Sequence, residues 1–312
     1  MVVVFFGTPQ FAVPTLRCLL DSHHRVCGVV SQPDRPRGRG QRVTDAPVKA
    51  LAVERGLPVI QPEKLKEPAV AETLRTWAPD IGVVTAYGRL IPDSLIAIPR
   101  FGMINVHASL LPKYRGAAPV HRAVIDGETV TGVTIMRVAS QLDAGDMFAR
   151  ATRPIGPNET SDTVERDLGE LGAHLLLATL DAIERGTAAA QQQDHTAVTY
   201  AQKITRGDGL LDWNLPAPAI HNRVRGLYPW PHAFTFLDGS RIIVLRTHLE
   251  PAVTAAAPGT IVAVTRNAIH VATGERGQIA IDEIQPEGKR AMPVRDYLAG
   301  RPLAAGARFT SS

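Results

Sequence analysis

An open, mostly parallel α/β sheet followed by a smaller all-β domain is the architecture predicted by this 312-residue chain. Three observations carry that expectation. In the first half, apolar strands without alternating polarity recur between amphipathic helices, the pattern of a parallel sheet covered on both faces. Beyond residue 230, short strands with Gly-containing turns suggest a small β-barrel or sandwich. Between them, Thr187 to Asp194 is poor in bulky apolar residues and reads as a linker. A composition of 45% hydrophobic and 21% charged residues is that of a folded globular protein and excludes a disordered chain or a fibre.

The elements follow in order. Val2 to Phe6 is a β-branched and aromatic run closed by Gly7-Thr8-Pro9, after which Phe11, Val13, Leu16, Leu19 and Leu20 recur at helical spacing. Val26 to Val30 is a second strand, Val48 to Arg55 a helix, Val59-Ile60 a third strand, Ala69 to Trp77 a helix, and Ile81 to Ala86 a fourth strand. Gly102 to Val106 and Gly132 to Val138 read as further strands, and Ser161 to Ile183 as a long helix capped by Thr160 or Ser161. The later strands are 233–237, 241–246, 259–264, 268–271 and 278–284. The division predicted is a first domain over 1–189, a linker over 190–207 and a C-terminal domain over 208–312.

Several chemistries lose support. Gly7-Thr8-Pro9-Gln10 lacks the later glycines of a dinucleotide fingerprint, and the chain has no phosphate-binding G-x-x-x-x-G-K-[ST] loop, no H-E-x-x-H and no G-x-S-x-G. Cys18 and Cys27 stand alone without a cluster at zinc spacing, so a reducing, cytoplasmic setting and no metal are expected. The amino terminus has no basic region ahead of its short apolar run, so neither secretion nor a membrane partner is expected. Charge is uneven: residues 1–200 hold 21 Lys+Arg against 21 Asp+Glu, and 201–312 hold 13 against 9, so the whole excess of four lies in the last third. A polyanionic partner fits that imbalance.

The most informative stretch runs from Phe101 to Pro119. If its strand persists, Asn105 and His107 are two residues apart and project from one face where the sheet opens. An amide that can bond a developing oxyanion and an imidazole that can donate or move a proton suit chemistry at a carbonyl. Asp143, in the turn Leu142-Asp-Ala-Gly-Asp146, is the carboxylate available to pair with such an imidazole.

Asn105-Val-His107, Ser109-Leu-Leu-Pro112, Tyr114-Arg-Gly-Ala-Ala-Pro119, Thr131-Gly-Val-Thr134 and Leu142-Asp143-x-Gly145-Asp146 resemble the 10-formyltetrahydrofolate-dependent formyltransferases. The likeness extends from Phe6-Gly-Thr-Pro-x-Phe-Ala12 through Gln32-Pro-Asp-Arg-Pro36 and Ala86-Tyr-Gly88 to Ala291-Met292. It implies a Rossmann-like sheet with an OB-like C-terminal barrel, Asn105, His107 and Asp143 as the catalytic trio, and 10-formyltetrahydrofolate as donor without a metal. It further implies folate contacts at Tyr87, Gly88, Leu90, Ser109, Leu110, Leu111, Pro112, Gln141 and Leu142. One departure is visible: Ala139-Ser140-Gln141 and Ala144 stand where the family has acidic residues with a glycine, and a threonine.

Gln32 to Arg42 puts Arg35, Arg37, Arg39 and Arg42 on one Pro- and Gly-spaced loop after a strand, a segment that can pair with phosphates. By resemblance this loop reads the acceptor end of initiator methionyl-tRNA, with Lys203 as a further phosphate contact and the C-terminal barrel as the RNA-gripping domain. The implied function is formyl transfer to the methionyl amino group for translation initiation, by a monomer. The alternatives are an amino-sugar formyltransferase, a 10-formyltetrahydrofolate hydrolase, or a non-catalytic RNA-binding protein.

Overall fold

The computed structural model describes residues 1–37 and 42–311. The chain divides into two compact units. One comprises 1–119, 130–153 and 165–201, and the other 120–129, 154–164 and 202–312.

The first unit begins with β1 (Val2–Gly7), α1 (Val13–Leu20) and β2 (Arg25–Val30). A two-residue pair, β3 (Pro36–Arg37) and β4 (Arg42–Val43), precedes α2 (Pro47–Glu54), β5 (Val59–Ile60), α3 (Pro68–Trp77) and β6 (Ile81–Thr85). Then come α4 (Asp93–Ile96), β7 (Met103–His107) and β8 (Arg115–Gly116). After α5 (Pro119–Ile125), the unit resumes with β9 (Val130–Arg137), β10 (Met147–Pro154), most of α6 (Ser161–Glu184) and β11 (Tyr200–Ala201).

Seven strands form one sheet in the order β10-β9-β7-β6-β1-β2-β5. The pairs from β5 to β7 are parallel, and β9 runs antiparallel to β7. The expected Rossmann-like sheet is therefore mixed, turning antiparallel between β7 and β9. Val3, Val4, Phe5 and Phe6 on β1 are fully buried, as a central strand covered on both faces requires. Parallel register places Gly7 beside Thr85 and Thr85 beside Val106. The chain thus leaves β1, β6 and β7 along one sheet edge, where open α/β sheets bind ligands.

Part of the expected linker 190–207 is built into this unit. Gln191 pairs with Met147 through two backbone hydrogen bonds of 2.8 Å, Gln193 is buried, and β11 pairs with β8. Its low apolar content concealed a segment held by hydrogen bonds instead of by side-chain burial.

The second unit contains α7 (Ala217–Gly226), β12 (Ala233–Leu237), β13 (Ser240–Val253), β14 (Ile261–Val264), β15 (Ile269–Ala272), β16 (Gly277–Pro286), β17 (Met292–Pro293) and α8 (Val294–Gly300). Its antiparallel sheet has the order β12-β13-β16-β15-β14, with β17 on β16. Residues 307–310 bond to both edges: Phe236 and Thr310 exchange two backbone bonds, Ile261 N donates to Ala307 O, and Phe309 N donates to Gly259 O. A single segment thus links the two edge strands, compatible with the expected barrel. Residues 120–129 and 154–164, which lie within the first domain predicted over 1–189, pack in this unit through buried and partly buried polar bonds. His121 Nδ1 and Ser161 Oγ both meet Gly226 O, at 2.7 and 2.6 Å, and His221 Nε2 donates to Pro157 O at 2.9 Å. Among the described residues no helix is long and apolar enough to cross a membrane.

Candidate active site

Asn105 and His107 occupy β7 with Val106 between them, so both side chains leave the same face. Across the antiparallel pair, Met136 lies opposite Asn105 and Thr134 opposite His107. His107 is only 5% exposed. Its Nε2 lies 2.9 Å from the Tyr114 carbonyl, and a carbonyl only accepts, so Nε2 carries a proton there. Nδ1 then faces Asp143 Oδ2 at 3.7 Å, too long for a hydrogen bond. Among the described residues the Asn105 amide has no hydrogen-bond partner.

The Asp143 turn is shaped by two tight approaches. At Gly145 a Cβ would lie 1.9 Å from Arg137 O, so only glycine lets the turn fold back on β9. At Gly116 (φ 119°), a Cβ would meet Ala201 O at 2.8 Å. The backbone N–H of Gly116 donates to Asp143 Oδ2 at 2.8 Å and orients that oxygen beside His107. Asp143 itself takes a positive φ of 48°, a conformation that Asp tolerates better than most residues.

A buried clamp behind this turn was invisible in sequence. Gln193 Nε2 donates to Asp143 O and Gly145 O, both at 2.8 Å, while its Oε1 accepts from Arg115 Nε and Nη2 at 3.1 and 2.7 Å. Arg115 and Gln193 are each 4% exposed. Both N–H donors of the glutamine amide are therefore spent on positioning the turn, and its oxygen is held by Arg115. No sequence signal marks it, because Gln193 lies in the stretch that reads as linker.

Ser109 to Pro112 is fixed by buried Thr134, whose Oγ1 donates to Ser109 O at 2.7 Å and accepts from Leu111 N at 3.1 Å. Ser109 Oγ donates to Lys113 O at 2.6 Å, and Leu111 is fully buried with Met136 and Met147. Leu110 and Pro112 are half-buried. Tyr87 packs its ring edge-on against Phe6, 5.5 Å between centroids, and is buried in the core. That leaves the backbone at Tyr87 and Gly88 for any ligand, with the Tyr87 carbonyl already accepting from Gln32 Nε2. Gln141 is exposed, and Leu90 and Leu142 are 69% and 48% exposed, large apolar side chains left uncovered.

The basic loop is rooted at Asp34, which pairs with Lys49 and accepts from Ala46 N at 3.0 Å. Burial of the Asp34 carboxyl, which alone would raise its pKa, is outweighed by these bonds and by its hydrogen bond from Gln61, so the carboxyl titrates below its usual range. Arg35 is exposed, Arg37 pairs with Arg42 in the β3–β4 register, and Arg39 lies outside the described residues. Lys203 is exposed in the second unit.

An amide, an imidazole and a carboxylate gathered beside the strand-end edge of an open sheet make an arrangement suited to group transfer at a carbonyl carbon. Comparison with known proteins narrows that class. The formyl transferase family model matches residues 1–180, and the model of the formyl transferase C-terminal domain matches 203–302. The chain is 45% identical over 310 residues to a methionyl-tRNA formyltransferase of Geotalea daltonii, covering 99% of this chain and 98% of that protein. It is 46% identical over 306 residues to one of Citrifermentans bemidjiense, covering 98% and 95%. Among solved structures, an N-formyltransferase of Helicobacter canadensis in complex with folinic acid and dTDP-3-aminofucose shares the fold, with a TM-score of 0.66, 16% identity and coverage of 90% of this chain and 99% of that one. The chain belongs to the formyl transferase family.

Proposed function

We propose that this chain transfers the formyl group of 10-formyltetrahydrofolate to the amino group of the methionyl moiety of initiator methionyl-tRNA. The observation that carries this reading is the convergence of Asn105, His107 and Asp143, in a chain 45% identical over nearly its full length to a methionyl-tRNA formyltransferase.

In the proposed reaction the neutral amine attacks the formyl carbon, and the carbonyl oxygen becomes an oxyanion. The unpaired Asn105 amide donates to that oxyanion. His107 Nδ1 and Asp143 Oδ2 are two acceptors 3.7 Å apart, a gap that an N–H or a water can bridge. They take the proton that the amine loses as its bond to carbon forms. Collapse of the tetrahedral species breaks the bond between carbon and the folate N10, which leaves with that proton. The Nε2–H bond to Tyr114 O holds the ring while Nδ1 changes protonation.

For the donor, we assign apolar contact to Leu90 and Leu142, which are exposed, and to Leu110 and Pro112. Backbone contact is assigned to Tyr87, Gly88, Ser109, Leu111 and Gln141. For the acceptor, Arg35, Arg37, Arg39 and Arg42 are assigned to phosphates, with Lys203 and the C-terminal domain, read as 208–312 after a 190–207 connection, as a further grip. The catalytic domain is read as 1–189, and the protein as a cytoplasmic monomer without a membrane partner. Both cysteines are free thiols, which suits a reducing compartment.

The deciding experiment is a formyl-transfer assay with the purified chain, supplying the donor and either charged initiator or charged elongator tRNA. Formylation confined largely to the initiator supports the reading. Transfer to an amino sugar or to water alone, or tRNA binding without turnover, overturns it.

A further inference from the structure

Outside the candidate active site, and within the first unit, two histidines and two carboxylates meet. His23 and His24 lie in the turn between α1 and β2, and Asp181 and Glu184 lie three residues apart on one face of the last turns of α6. Their four ligand atoms all lie within 4.8 Å of one another. His24 Nε2 is 3.2 Å from Asp181 Oδ1, His23 Nε2 is 3.6 Å from the same oxygen, and His23 Nε2 is 3.3 Å from Glu184 Oε2.

We infer that these four side chains form a binding site for a divalent transition ion, zinc by chemical class, that ties the α1–β2 turn to the end of α6. With metal–ligand bonds of about 2.0–2.2 Å, the edge of a tetrahedron is about 3.3–3.6 Å, and the three separations above lie at or close to that length. Two neutral imidazoles and two carboxylates balance a dication. Imidazole nitrogen favours zinc and its neighbours over magnesium or calcium, which prefer oxygen alone.

A second observation points to a missing ligand. The His24 side chain is fully buried, yet its Nε2 has no aligned hydrogen-bond partner; the contact with Asp181 has the distance but not the direction of a bond. On the opposite side, Met1 N lies 3.2 Å from His24 Nδ1 and 2.8 Å from Glu184 Oε1. That ammonium donates to Nδ1, so binding of an ion at Nε2 requires the amine to give up a proton to solvent and to accept from Nδ1–H instead.

No zinc spacing is visible along the chain because His23 and Glu184 are 161 residues apart. Only the packing of α6 against the first turn region brings the pairs together.

The test uses the full chain stripped of metal with a chelator and titrated with zinc by calorimetry, and with cobalt(II) followed by visible absorption. One ion per chain is expected, with the intense absorption of four-coordinate cobalt, proton release, and a rise in Tm on zinc binding. Asp181→Asn, Glu184→Gln and His23→Ala should each weaken binding by more than the roughly 10-fold that loss of an outer-shell partner costs. Formyl transfer at saturating substrates should not change, since none of these residues belongs to the Asn105–His107–Asp143 cluster. Asp181→Asn and Glu184→Gln keep side-chain shape at partly exposed positions, so they carry the test should His23→Ala fold poorly. Absence of saturable one-to-one binding overturns the inference. So does an affinity unaltered by Asp181→Asn and Glu184→Gln, which would place the ion on other histidines.

Discussion

Each unit holds a histidine beside a carboxylate, and the two pairs are finished to different degrees. In the second unit His248 Nδ1 lies 2.9 and 3.0 Å from the two oxygens of Asp282, and its Nε2 lies 3.4 Å from Glu250 Oε1. The bond to Asp282 raises the His248 pKa above the usual imidazole range. In the first unit His107 is buried, its Asp143 neighbour stands off at 3.7 Å, and the facing carboxylate oxygen is oriented by the Gly116 N–H. The aligned pair consumes its own hydrogen-bonding capacity, whereas the unaligned pair leaves two acceptors directed at a common gap. Catalytic hydrogen bonds are often long before substrate arrives, so proximity without completion is the more informative geometry.

The sharpest way to break the comparison is to remove each pair in turn. His107→Ala, Asp143→Ala and Asn105→Ala should each lower kcat by about 100- to 1000-fold with tRNA affinity nearly unchanged, because their interactions strengthen in the transition state. His248→Ala should leave kcat close to wild type in the same steady-state assay. Equal losses at His107 and His248 would erase the distinction.

Gln193→Leu comes next in size. It leaves the buried Arg115 guanidinium and the carbonyls of Asp143 and Gly145 without partners, at a cost of about 2–4 kcal/mol in unfolding free energy. Displacement of Asp143 should also lower kcat by roughly 10- to 100-fold. Gln193→Glu keeps an acceptor for Arg115 but loses both donors, so it should recover part of the stability and little of the turnover. Urea melts and single-turnover rates separate the two effects.

Arg39→Ala should raise the KM for tRNA roughly tenfold, the weight of about 1.5 kcal/mol for one charge-assisted bond, while the KM for the formyl donor stays constant. A shift in the donor KM instead would assign the loop to the folate side.

The smallest expected effect is the stability supplied by the finished pair. A raised folded pKa means that His248 contributes fully below its unfolded value of about 6.5, and that the contribution disappears as pH rises through the folded value. Because the ring is half exposed, solvent screening keeps the effect under about 1 kcal/mol. Wild type should therefore exceed Asp282→Asn in unfolding free energy at pH 5.5, and the two should converge by pH 9. A difference that grows with pH would reverse the assignment.

The strands β1, β2, β6 and β7, the helices α1, α2, α3 and α6 and the Asn105-x-His107 spacing were determined locally and so were legible in the sequence, whereas β10 and α7 were not read from it. A run such as Val3 to Phe6 reports burial on both faces whatever surrounds it, and two residues separated by one on a strand share a face by the pleat alone. Local pattern did not reveal the antiparallel β7–β9 edge, because an apolar run carries no direction. Nor did it reveal how residues 190–201 are held, where backbone bonds at Gln191 and the buried Gln193 amide do what apolar side chains do elsewhere. Asp143 could be named from its turn, but its approach to His107 depends on Gly116, Gly145 and Gln193, residues 27, 2 and 50 positions away along the chain. Periodicity records how each segment meets its own surroundings. A site assembled from side chains far apart in sequence exists only once long-range packing has fixed which surfaces meet, and that was decided by the tertiary structure.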